Sequence, residues 1–114
     1  MNNKDKVVYI HKRKKDGQVF YVGMGSIKRP YSFTNRNSMW KKYVEKNGKP
    51  EVQIVKGYLT KEEAYKLETK LIIKYGLKIY GKGYLVNCNY GEYKSWKTKQ
   101  HPSYYTLLRY FKNS

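Results

Sequence analysis

Residues 6–23 read as two short alternating runs, KVVYIHKRK and QVFYVG, separated by Lys15, Asp16 and Gly17. Alternation with a polar, glycine-containing break predicts an antiparallel hairpin. A two-residue period places Val8 and Ile10 on one face and Val7, Tyr9 and His11 on the other. In the second strand Phe20 and Val22 oppose Val19, Tyr21 and Gly23, so Tyr9 and Tyr21 share a face. Pro30 discourages a long helix in the basic segment MGSIKRPYSFTNRN, which is expected to be a loop with one helical turn. Ser38 is then placed to cap a helix through MWKKYVEK, with Trp40 and Tyr43 or Val44 on its apolar side and Asn47 and Gly48 as its stop.

The stretch 51–59 follows Pro50 and alternates weakly, which predicts a third strand. Thr60 and Glu63 then form a T-x-x-E capping box for a helix that runs to Tyr75 and ends at Gly76. Its apolar stripe is Ala64, Leu67, Leu71, Ile72 and Tyr75. A short irregular strand is expected at 84–87, and Tyr104, Leu107, Leu108 and Phe111 predict a last helix packed on the same domain. The expected fold is a small α/β (α+β) domain: a mainly antiparallel three-stranded sheet flanked by helices, with a core domain at 1–89 and a basic extension at 90–114.

Charge changes this picture. Twenty-five Lys and Arg face eight Asp and Glu, leaving a formal charge of +17. Self-repulsion of that size favours a polyanionic partner. Fourteen tyrosines, two tryptophans and three phenylalanines add stacking faces beside the cations, which selects nucleic acid over an anionic membrane or protein. No apolar run approaches the roughly 20 residues of a membrane span. The opening MNNKDKVVYIHKRKK lacks the pattern of a signal peptide, so the expected location is the cytoplasm. Cys88 is the single cysteine and forms no internal disulfide, and with His11 and His101 it makes a poor zinc set.

Glu68 is the anomaly in the pattern. It sits inside the apolar stripe, four residues after Ala64 and four before Ile72. Two readings account for a carboxylate there: a structural ion pair with one of many lysines, or a ligand aimed at a metal.

A hairpin carrying Val7-Val8-Tyr9 and Tyr21-Val22-Gly23, a following basic loop, a carboxylate on a later helix and Asn87 in LVN together resemble the GIY-YIG endonuclease family over residues 6–89. The stretches FYVGMGSIKRPYSF, RNSMW and LTKEEAYKLETKLIIKYG look like its small phage-type or bacterial subgroup. Val7 replaces the opening glycine, a tolerable change within a strand. Phe33 stands where the family often has tyrosine or histidine, and Phe33 handles no proton. Either Tyr31 takes over that contact or the hydroxyl is absent.

The resemblance implies DNA as partner and metal-dependent phosphodiester hydrolysis. Glu68 would hold one Mg²⁺, for which Mn²⁺ can substitute. Tyr9 would be the general base, helped by Tyr21, with nearby cations lowering the phenol pKa toward phenolate. Arg29 would contact the phosphate, Arg36 being the second candidate, and Asn87 would orient the glutamate or its helix. Gly23, Lys28, Arg36 and His11 are expected at the DNA. A competing reading is a non-catalytic module that stacks bases on an aromatic sheet face. A third is a nuclease fold that has lost its chemistry, for which Phe33 is the hint.

Overall fold

The central strand of the fold is its most deeply buried segment. In the computed structural model, which describes residues 3–87, the five inner residues of β1 (Lys6–Lys12) are all buried. β1 owes this to its neighbours: β2 (Val19–Gly25) and β3 (Glu51–Leu59) pair with it antiparallel, in the order β2-β1-β3. With two helices this open sheet makes an α+β domain. The helix expected at 104–111, the extension 90–114, Cys88 and His101 lie outside the described residues.

The hairpin closes as the turn residues require. Arg13 N–H donates to Gln18 O at 2.8 Å, Gly17 N–H donates to Arg13 O at 2.7 Å, and the Arg13 guanidinium forks onto Asp16. β2 then continues two residues past Gly23, the end expected from the alternation. His11 pairs with Tyr21 and Lys12 with Val19, so Phe20 has no partner in β1. Such a bulge breaks strict alternation. Phe20 therefore leaves the face assigned to it beside Val22. Val22 packs with Val8 and Ile10 against Ala64 and Ile72, whereas Phe20 joins Trp40 and Val86 in a second cluster.

Helix α1 (Ser38–Asn47) starts one residue earlier than Ser38 would set it. Asn37 is the N-cap: its Oδ1 accepts from Trp40 N–H at 2.7 Å, while its Nδ2 donates to Val86 O at 3.1 Å. Asn37 thus caps the helix and ties it to a distant segment, which a serine hydroxyl is too short to do. Helix α2 (Lys61–Tyr75) has the expected capping box, with Glu63 N–H donating to Thr60 Oγ1 at 3.1 Å and Thr60 N–H donating to Glu63 Oε1 at 2.8 Å.

The buried face of α2 is turned relative to the stripe read from sequence. Ala64, Thr69, Ile72 and Ile73 are buried, and Leu67, Leu71 and Tyr75 are only partly so. The cause is the chain beyond the helix, which supplies Leu77 and Leu85 to the same cluster as Ile73. A side chain at Gly76, where φ is +80°, would collide with the Lys82 carbonyl, so the return is that close. In place of the strand expected at 84–87 there is one parallel bridge, Leu77 to Leu85. Val86 N–H then donates to Phe20 O at 2.8 Å along the outer edge of β2. Among the described residues no helix is long and apolar enough to cross a membrane.

Candidate active site

Tyr9 stands at the centre of β1 opposite Gly23 of β2. Its ring lies across that glycine, and a Cβ at Gly23 would overlap the Tyr9 Cζ and hydroxyl. Gly23 is itself buried under the ring, so its contribution is room for Tyr9, and the expected contact with DNA is corrected. Tyr21 lies diagonally across the pair, its ring centroid 6.5 Å from that of Tyr9, and is partly exposed where Tyr9 is only 1% exposed.

His11 also departs from expectation. It is 0% exposed and cannot reach a DNA backbone. Trp40 Nε1–H donates to His11 Nδ1 at 3.0 Å, so the imidazole proton belongs on Nε2, which donates to Pro30 O at 2.8 Å. Burial pushes the imidazole pKa down to about 4, against the Pro30 carbonyl, which favours the charged form. The neutral ring thereby joins β1 to α1 and to the turn Arg29–Tyr31. Phe33 meets it edge-on at 5.8 Å and lies 5.6 Å from Trp40. An apolar ring suits that seat, which gives Phe33 a packing reason.

Two arginines enclose the tyrosines. Arg36 is 5% exposed and donates from Nη1 to the Tyr9 hydroxyl at 2.7 Å. Its other donors hold the loop: Nε to Ser32 O at 3.1 Å, and Nη2 to Arg29 O at 2.9 Å and Ser32 O at 2.8 Å. The guanidinium also lies 5.3 Å from the Tyr21 centroid and 5.6 Å from those of Tyr9 and Trp40. Arg29, half-buried, donates to Thr34 O at 3.0 Å and to Asn35 O at 3.1 Å, which leaves three of its five N–H groups for other acceptors. Its Cβ and Cγ would lie 2.9 Å from a Cβ at Gly25, so a close approach to β2 seats it.

Glu68 reaches the same cluster from α2. It is half-buried, and its charge acts on Tyr21 together with those of Arg36 and Arg29. Tyr9, Tyr21, Arg29, Arg36 and Glu68 thus converge from both hairpin strands, the loop and α2. Asn87 does something other than orient that helix directly. Its Oδ1 accepts from Val22 N–H at 3.0 Å and its Nδ2 donates to Val22 O at 2.7 Å, so one side-chain amide pairs the edge of β2 as a neighbouring strand would. Lys28 is exposed on the rim. Tyr31 is 61% exposed, and among the described residues its hydroxyl joins none of these contacts.

The expected phenolate is corrected as well. Burial raises the pKa of both tyrosines above the ordinary value, more than Arg36 lowers it, and Glu68 raises that of Tyr21 further. Both are phenols at neutral pH. Among the described residues no three His, Cys, Asp or Glu side chains converge as a metal cage. A hard cation would therefore rest on Glu68 and complete its shell with water and phosphate oxygens, a donor set that suits Mg²⁺. In the sequence Trp40 is only an apolar helix position. No local pattern reports its bond to His11, 29 residues away. No protein-family model, curated protein or solved structure matches the chain, so the functional reading rests on this convergence of residues.

Proposed function

We propose that the protein is a metal-dependent DNA endonuclease of GIY-YIG type acting in the cytoplasm. The observation that supports it is the meeting of two strand tyrosines, two arginines and one helix carboxylate in a single electrostatically coupled site. Each answers a need of phosphodiester hydrolysis. Arg29, with N–H groups to spare and partial exposure, contacts the scissile phosphate as charge develops on it. Tyr9 accepts the proton of the attacking water. The resting phenol must first release its own proton to solvent, and the Arg36 N–H on its oxygen steadies the phenolate, which then takes the proton of the attacking water and returns to phenol. Tyr21, nearer solvent and facing Glu68, orders the water. A Mg²⁺ on Glu68 would supply positive charge at the phosphate and the departing 3′ oxygen.

The competing reading, a stacking platform on an aromatic sheet face, needs that face open. Here Tyr9, His11 and Phe20 are buried beneath α1 and the loop before it. Supercoiled plasmid tests the proposal. Wild-type protein is expected to nick or linearise it with Mg²⁺, and Glu68→Gln to lose cleavage while still binding DNA. Because the Tyr9 pKa lies above its ordinary value, the single-turnover rate should climb with pH up to about 9 without a plateau, and Tyr9→Phe should be slower by about 10²- to 10⁴-fold. Undiminished cleavage by Glu68→Gln sinks the assignment.

A further inference from the structure

A second feature adjoins the aromatic cluster at Tyr43 and Val86. A cleft of about 550 Å³ opens between the hairpin loop, α1 and the returning segment 78–86. Among the described residues four cations line it, Arg13, Lys42, Lys46 and Lys78, and no carboxylate does. Asp16 pairs Arg13 from outside. Lys42 and Lys46 are exposed one turn apart on α1, and with Lys78 they make no ion pair among the described residues. Such a cluster repels itself and persists at a cost that an anion would remove. Tyr43 forms part of the floor and Tyr84, 68% exposed, part of the wall.

Cations along a groove with aromatic faces beside them are the chemistry that holds a single nucleic-acid strand: phosphates on the lysines, bases on the rings. The volume suits a small ligand or a nucleotide or two and excludes a duplex. The cleft also adjoins the candidate active site through a row of rings. Tyr43 stacks on Phe20 at 4.1 Å, Phe20 lies 6.2 Å from His11, and His11 lies 5.6 Å from Tyr21. We propose that this cleft binds one unpaired strand of the nucleic acid whose phosphodiester the tyrosine site addresses. The proposal rests on the nuclease reading for its choice of substrate, and it adds to that reading a substrate with a single-stranded portion next to the cut.

The test is metal-free binding of a fluorescein-labelled oligothymidine of about 12 nucleotides, a length within the usual range of strand-binding sites. The double variant Lys42→Ala/Lys46→Ala should bind about 10-fold or more weakly at ~0.1 M salt and lower the slope of log K against log salt by about 1.4. Tyr84→Ala should weaken binding by about 5- to 100-fold. Lys66→Ala/Lys70→Ala removes the same charge from the exposed side of α2 and should bind like wild type. Circular dichroism melting establishes that each variant folds, and Tyr84→Ala, at an exposed position, carries the test if the double variant does not. If the α2 variant loses as much affinity as the α1 variant, or Tyr84→Ala loses none, the cleft is not the strand site, and plasmid cleavage is untouched by that result. If wild-type protein binds no oligonucleotide yet cuts plasmid with Mg²⁺, the cleft proposal alone falls. If it neither binds nor cuts, both readings fall.

Discussion

His11 shows how one side chain can be bound to a single protonation state. Nδ1 accepts from Trp40 and Nε2 donates to Pro30, so protonating Nδ1 would set two donors against each other inside the protein. The folded pKa of about 4 lies below the unfolded value of 6.5. Above pH 6.5 both states are neutral and the full contribution to stability is present. As pH falls from 6.5 towards 4 only the unfolded chain takes up the proton, and stability drops by about 1.4 kcal/mol per unit, on the order of 3 kcal/mol in all. Below about 4 this contribution levels off. Urea unfolding at several pH values should show that decline, and the His11 imidazole resonance should not titrate between pH 5 and 8 in the folded protein. A His11 midpoint near 6.5 would contradict the bonding arrangement.

The two helices are capped by different means, and the difference has a measurable consequence. Thr60 and Glu63 satisfy donors at the start of α2 locally, on an exposed surface. Asn37 caps α1 and also reaches Val86, beside the Asn87 amide that pairs the edge of β2. Thr60→Ala should cost about 1 kcal/mol, the usual worth of an N-cap. Asn37→Ala should cost about twice that, because a second, long-range hydrogen bond goes with the first. Denaturant unfolding of both variants checks the order. Equal losses would mean that the bond to Val86 contributes nothing to stability. The same comparison applies to activity: Asn37→Ala should slow cleavage by loosening the loop that carries Arg36, whereas Thr60→Ala should not.

At the scale of the whole molecule the dominant fact is the net charge of +17. Repulsion between unpaired cations is screened by salt, with a Debye length of ~30 Å at 0.01 M and ~8 Å at 0.15 M. The melting temperature should therefore rise as sodium chloride increases across that range, while affinity for DNA falls. A melting temperature indifferent to salt would show that the cations are too dispersed to strain the fold.

The sequence by itself determined what depends on near neighbours. Alternation gave the hairpin and the third strand, Thr60 and Glu63 the start of α2, and Gly76 its end, because backbone hydrogen bonding and capping act over a few residues. It also marked Glu68 as a residue to explain, since a carboxylate in an apolar stripe conflicts with its surroundings in any fold, whereas Tyr9, Tyr21, Arg29 and Arg36 stood out as site candidates only through the resemblance to a family. What those residues do to one another was decided only by the tertiary structure. The Phe20 bulge, the returning segment that turns the buried face of α2, and the Asn37 and Asn87 amides that bind distant backbone all depend on chain brought from far along the sequence. The tyrosine pKa values follow the same rule. Counting cations along the chain suggests phenolate, yet burial removes water from the hydroxyls, and that loss outweighs one guanidinium at hydrogen-bond distance. Desolvation is set by everything packed around a group in three dimensions, so it leaves no mark in the local order of residues.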